Sequence, residues 1–157
     1  MSIKHTFKAQ VNWTINEGGS TSNPRTFSRN HEVLIANKTS ALQVSAAEPF
    51  RGDDALYNPE DLLLSALVSC HMMSYLYVCA QHNIEVLSYT DGAEGNLEVV
   101  ANGSGSFKCV RLKPVVTIKD SDQKDLALRL HAKANALCFI ANSCNFPISH
   151  EATIVVA

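Results

Sequence analysis

Leu62 to Ala80 is a run of 19 residues without Asp, Glu, Lys or Arg, and no other stretch restricts the folding of this chain as much. A run of that length is close to what a helix needs to cross a bilayer. It nevertheless contains His71, Tyr75, Tyr77 and three serines, acids precede it, and no Lys or Arg follows closely enough to anchor its far end. A helix at the centre of a soluble fold, apolar on nearly all sides, accounts for it better than a membrane span. The start of that helix is written into the residues before the run. Asn58 is suited to accept from the first free backbone amides, Pro59 fits the first helical position, and Glu60 and Asp61 favour the positive end of the dipole. The pattern predicts a helix from Pro59 to about Gln81 or His82, with Asn83 as its stop.

A chain of 157 residues with 46% hydrophobic content has material for one domain, taken as 1–157. A central helix that needs cover on every side is more than one such chain readily covers, which points to a homodimer burying paired helices. The net charge of -2, with 13 basic and 15 acidic residues interspersed, offers no basic stripe and argues against nucleic acid as a partner. The first residues lack the apolar centre of a signal peptide, so the expected location is the cytoplasm. Five cysteines, an odd number, do not form a secreted disulfide framework. In a reducing compartment such residues serve as core, metal ligands or reactive thiols.

Alternation of Phe7, Ala9, Val11, Trp13 and Ile15 against polar neighbours predicts a half-buried strand over Thr6 to Ile15. Turn residues from Glu17-Gly18-Gly19-Ser20 to Asn23-Pro24 lead to a second strand over Phe27 to Ala36, and the two are expected to pair as a hairpin. A short strand over Leu42 to Ser45 precedes the loop Glu48 to Tyr57. After the long helix, strands over Glu85 to Tyr89, Gly95 to Ala101 and Ser106 to Ile118 are broken by Asp91-Gly92 and Asn102-Gly103, predicting an antiparallel meander. Asp120-Ser121-Asp122 caps a second helix from about Gln123, on which Leu126, Leu130, Ala134, Leu137 and Cys138 recur at helical spacing. Glu151 to Val156 reads as a last strand. The fold class expected is α+β, helices packed against strongly bent antiparallel sheets.

Two thiols stand out. Cys70 lies in the middle of the uncharged helix and Cys138 near the end of the second, an arrangement that suggests redox chemistry. A metal site from Cys70, His71, His131 and Cys138 has no Cys-x-x-Cys or His-x3-His spacing behind it, and neither metal nor cofactor is expected. Cys79 and Cys109 read as core. Phe7, Trp13, Phe50, Met72, Met73, Tyr75, Phe139 and Phe146 also read as core, some of them available to line an apolar pocket. Adjacent helix positions point about 100° apart, so His71 reads as a satisfied buried or interfacial histidine rather than a base for Cys70.

At Tyr57-Asn58-Pro59-Glu60-Asp61-Leu62-Leu63, followed by Ser69-Cys70-His71, and again at Cys138-Phe139-Ile140-Ala141-Asn142, the chain resembles the OsmC/Ohr family of thiol peroxidases. The resemblance implies an intertwined homodimer in which Cys70 reduces organic hydroperoxides in defence against oxidative stress, Cys138 resolves it, and an Arg-Glu pair assists. Glu60 matches the glutamate. Arg51, in Phe50-Arg51-Gly52-Asp53, matches one family position for the arginine, and Arg25 and Arg29 of the first hairpin match the other; Arg51 is preferred. An external dithiol, dihydrolipoamide or a lipoylated protein, is the implied reductant. Ala134-Asn135-Ala136-Leu137-Cys138-Phe139 departs from the commoner Ala-His-x-x-Cys-Pro, and Cys144, six residues on, reads as a buried thiol in preference to a substitute resolving group.

A thiolate that cleaves an O–O bond needs a depressed pKa, which a guanidinium supplies by favouring the anion, while a bidentate carboxylate holds the guanidinium in place. Glu60 and Cys70 are ten residues apart, about 15 Å along one helix. Either the helix breaks between them or the glutamate beside each Cys70 comes from a partner subunit, and the second is expected. Two other functions stay open: a noncatalytic module holding a small apolar ligand in the same pocket, and a thiol redox sensor.

Overall fold

The computed structural model describes residues 3–15, 17 and 19–157. Gly18 of the expected first turn, and Met1 and Ser2, lie outside them. The chain divides into two compact units, Met1–Leu63 and Leu64–Ala157.

In the first unit β1 (Ala9–Asn12), β2 (His31–Ile35) and β3 (Leu42–Val44) form an antiparallel sheet in that order, with Val11 opposite Val33 and Val33 opposite Leu42. The hairpin forms where the alternation predicts it, but β1 is shorter than Thr6 to Ile15, and Phe7 is 92% exposed. Ser45 ties down the loop that follows. Its N–H donates to Tyr57 O at 2.8 Å, its hydroxyl donates to Asn30 Oδ1 at 2.8 Å, and its Oγ accepts from Asp53 N at 3.0 Å.

Helix α1 runs Pro59–Gln81 without a break. Asn58 and Asp61 cap it reciprocally: Asp61 N donates to Asn58 Oδ1 at 2.8 Å and Asn58 N to Asp61 Oδ2 at 3.3 Å. Asn83, with φ 55°, provides the left-handed residue that ends the helical path.

The second unit contains β4 (Val86–Asp91), β5 (Glu94–Val99), β6 (Gly105–Leu112), β7 (Pro114–Ile118), α2 (Lys124–Leu137), β8 (Ile148–His150) and β9 (Thr153–Val156). The strands make two three-stranded ladders, β4-β7-β9 and β5-β6-β8. This corrects the expected meander. Asp91-Gly92 does not turn a hairpin but passes the chain from one ladder to the other, and the single strand expected over Ser106 to Ile118 is divided at Lys113 into β6 and β7, one in each ladder. Residues 151 and 152 make the same crossing back, and β8 and β9 join β6 and β7 in parallel. Only β5 and β6 form a tight hairpin, through Asn102-Gly103, where Gly103 takes φ 84°.

Two apolar clusters fill this unit. One gathers Tyr75, Val78 and Cys79 of α1, Ala127, Leu130 and Ala134 of α2, Val116 and Ile118 of β7, and Ile154 of β9. The other gathers Leu67, Val110, Leu112 and Cys138. The buried face of α1 steps through Leu67, His71, Tyr75 and Val78 at intervals of three and four residues, the spacing that stacks side chains on one side of a helix. Its other face is open within the chain: Met73 and Tyr77 are each 58% exposed, and Leu76 is exposed as well. The helix is therefore not covered on all sides by its own chain.

Candidate active site

Cys70 is half-buried on α1, one position ahead of the buried face residue His71. Cys138 is the residue at which α2 ends: its backbone turns out of the helix at φ -73° and ψ 110° while its N–H still donates to Asn135 O at 3.2 Å. That turn directs Cys138 into the second apolar cluster, where it is fully buried, and Cys70 packs against the same cluster beside Val68 and Leu64. The two cysteines thus share one apolar cluster, near enough for Cys70 to act on the Cys138 thiol, and neither is bonded in a disulfide.

Their surroundings differ in a way that separates their chemistry. Burial pushes the Cys138 thiol up to about 11, the contact with Cys70 acts in the same direction, and the backbone N–H groups of Ala141 and Ile140 oppose it, Ala141 N lying 3.4 Å from Sγ. Cys138 is thus a protonated thiol at neutral pH, closed off from solvent. Cys70 instead opens on a hollow of about 310 Å³ walled by Met73, Ser74, Tyr77, Leu137 and Phe139. Phe139 is 81% exposed and forms the rim next to Cys138. An oxidant entering this hollow meets Cys70 first.

The other expected residues are in the first unit. Arg51 is exposed and takes φ 65°, and Gly52 follows it because a Cβ there would lie 1.6 Å from Ala46 O. Glu60 is half-buried in the first turn of α1. Among the described residues no ion pair joins Arg51 to Glu60 within the chain. Arg25 is exposed. Arg29 is held: its guanidinium sits 4.3 Å over the Phe27 ring and donates to the carbonyls of Phe27 and Pro24. It walls a hollow of about 400 Å³ together with Val11, Trp13, Phe27, His31 and Pro59. Cys79 is buried in the first cluster, Cys109 is half-buried with Asn96 donating to its sulfur at 3.5 Å, and Cys144 is half-buried.

Sequence reasoning missed a cluster of three histidines. His71 Nε2 and His131 Nδ1 share a hydrogen bond of 3.1 Å; the His71 ring stacks on His150 at 4.6 Å, and His131 stacks on Tyr75 at 3.9 Å. Burial lowers His71 to about 4, helped by His150, and lowers His131 to about 3, helped by His71 and then His150. All three rings are neutral at pH 7. His71 Nδ1, His131 Nε2 and His150 Nε2 are buried without a partner. No group of three His, Cys, Asp or Glu residues among those described has metal-holding geometry. The available signal was His71 and His131 on otherwise apolar helix faces.

Residues 52–153 match the family model for OsmC-like proteins. The uncharacterized protein YmaD of Bacillus subtilis is 24% identical over 96% of this chain and 95% of its own length. Among solved structures, an OsmC-like protein of unknown function from Vibrio cholerae is 28% identical, with a TM-score of 0.84 over 95% of this chain and 99% of that one. An organic hydroperoxide resistance protein from Elizabethkingia anophelis, crystallised with thiocyanate, is 19% identical with a TM-score of 0.70, covering 100% of both chains. At that identity the likeness is one of fold.

Proposed function

This chain belongs to the OsmC-like family, and from that premise we propose that it is a cysteine-based peroxidase that reduces organic hydroperoxides in the cytoplasm. The observation that carries the proposal is the packing of Cys70 and Cys138 in one apolar cluster, the first open to an apolar hollow and the second buried away from solvent. A fold neighbour named for organic hydroperoxide resistance supports it.

In the proposed reaction the Cys70 thiolate attacks one peroxide oxygen. An S–O bond forms, the O–O bond breaks, and the alkoxide leaves and takes up a proton as the alcohol. The Cys138 sulfur then attacks the Cys70 sulfenic acid, the S–S bond forms, the S–O bond breaks, and the Cys138 proton departs with the hydroxyl as water. An external dithiol, dihydrolipoamide or a lipoylated protein, returns both thiols. The apolar walls Met73, Tyr77, Leu137 and Phe139 suit an alkyl or aryl substituent on the peroxide.

The guanidinium and carboxylate are assigned to a second copy of the chain. Because α1 has no break, a Glu60 ten residues before Cys70 serves Cys70 of the partner in this assignment, and the exposed Met73, Leu76 and Tyr77 face is what the homodimer covers. Arg51 is the arginine assigned from sequence; Arg29, already oriented by Phe27, is its competitor. Glutamine substitutions at each position decide between them, since only the acting arginine lowers the rate with hydroperoxide without changing the fold.

The test is consumption of cumene hydroperoxide with dihydrolipoamide as reductant. Cys70→Ser is expected to reduce it to the background rate. Undiminished consumption by that variant refutes the proposal, and a parent protein that retains cumyl alcohol but consumes no hydroperoxide indicates a noncatalytic binding module instead.

A further inference from the structure

Cys70, Met73, Ser74 and Tyr77 share one face of α1 at helical spacing, and all four line the hollow of about 310 Å³. Beside the thiol, only Ser74 and Tyr77 bring a polar group to its walls. Tyr77 is seven residues from Cys70, about 10 Å along the helix, and its oxygen already accepts from Gln81 Nε2 at 2.9 Å. Ser74 is one turn away. Side chains four residues apart on a helix have Cβ atoms about 5–6 Å from each other, so a sulfur and a hydroxyl at those positions can both reach an atom placed between them.

The Ser74 hydroxyl is available for that. A serine in helical backbone often spends its hydroxyl on a carbonyl three or four residues back, as Ser143 does on Phe139 O at 2.8 Å. Ser74 Oγ makes no hydrogen bond of this kind among the described residues. Nor is it one of the fully buried polar atoms left without a partner. It is half-buried, unpaired and on a short stem that turns freely toward the hollow its residue lines.

The order of groups along the hollow matches the order of atoms in the substrate. Sulfur attack is in line with the O–O bond, so the attacked oxygen lies against Cys70, the leaving oxygen next, and the organic substituent beyond it toward Tyr77, Leu137 and Phe139. Ser74, about 6 Å along the axis from Cys70, stands at the level of the leaving oxygen. Charge develops on that oxygen between apolar walls, where one donor counts for more than in water. We propose that Ser74 is a catalytic residue whose hydroxyl donates a hydrogen bond to the peroxide oxygen that departs as alkoxide; this rests on the peroxidase reading of the thiol pair. As the S–O bond forms and the O–O bond breaks, Ser74 keeps its own O–H bond, and the alkoxide takes its proton from water.

The experiment follows oxidation of Cys70 in a single turnover by quenched flow and peptide mass spectrometry, which leaves the recycling dithiol out. Ser74→Ala, favourable to the helix, is expected to lower the second-order rate constant with cumene hydroperoxide about tenfold or more, and Ser74→Thr, which keeps a hydroxyl, to restore most of it. With 3-chloroperoxybenzoic acid, whose leaving carboxylate spreads its charge over two oxygens, Ser74→Ala should stay close to the parental rate. Alkylation of Cys70 by iodoacetamide should keep the same pH midpoint in parent and Ser74→Ala, because the hydroxyl serves the departing oxygen and not the sulfur. Equal losses with both oxidants, or a displaced alkylation midpoint, overturn the assignment. A Cys70-dependent rate with cumene hydroperoxide that is unchanged in Ser74→Ala overturns the role of Ser74 and leaves the peroxidase reading standing, whereas a parent protein whose Cys70 is not oxidised overturns both.

Discussion

Lowering the pH from 7.5 to 5 should destabilise this protein through His71 and His131. In an unfolded chain both rings take up a proton near pH 6.5. In the fold, burial first and neighbouring imidazoles second hold His71 neutral down to about 4 and His131 down to about 3. Between those values the unfolded state binds more protons than the folded one, so stability rises with pH. The contribution is fully present above about pH 7 and is lost as pH falls toward the folded values. Each ring costs about 2 kcal/mol by pH 5, so the pair costs about 4 kcal/mol, a large share of a domain's total of about 5–15 kcal/mol. The slope should reach about 2.5 kcal/mol per pH unit, a little under two protons' worth, near pH 5. Guanidinium unfolding at pH 7.5, 6.5, 5.5 and 5.0 and one protein concentration measures it. His131→Phe keeps an aromatic ring against Tyr75 and should bring the slope to about half. A slope below about 0.5 kcal/mol per pH unit, or imidazole 15N shifts showing both rings protonated near pH 6.5 in the folded protein, refutes the reasoning.

Two further outcomes follow from the thiol site. Cys138→Ser should retain one fast turnover and then stall, with excess cumene hydroperoxide driving Cys70 to the sulfinic acid, seen as two added oxygens by peptide mass spectrometry; a persistent Cys70–Cys144 disulfide instead would give the resolving role to Cys144. Mixing Glu60→Ala with Cys70→Ala chains should restore about a quarter of parental activity, from one complete site in the half of the dimers that are mixed. No recovery, or a single-chain mass by light scattering, argues against the shared site.

The beginning of α1 was legible because its cause is local: Asn58 and Asp61 are three residues apart and bond each other. The end was legible for the same reason at Asn83. Ser106 to Ile118 was not, since apolar residues continue on both sides of Lys113 and nothing within the segment records that Pro114, which lacks an N–H, opens a strand of the other ladder. Parallel pairing of β8 with β6 and of β9 with β7 depends on residues more than thirty positions apart, so a pattern of neighbours carries no trace of it. Periodicity also identified apolar faces without saying what covers them, and Phe7, Met73 and Phe139, expected in the core, are exposed. At the candidate site, the two cysteines singled out in the sequence pack in one cluster. The histidine contact, across 60 positions of sequence, was not.

The ladder order also sets when this protein can finish folding. β6 and β7 each lie in the middle of a ladder, and each must wait for a neighbour from the last strands, Ile148–His150 and Thr153–Val156. Long-range pairing of that kind is slow because loop closure is paid before contacts reward it. On the ribosome, both ladders would stay open along one edge until these strands emerged, leaving Val110 and Val116 without their final partners until then.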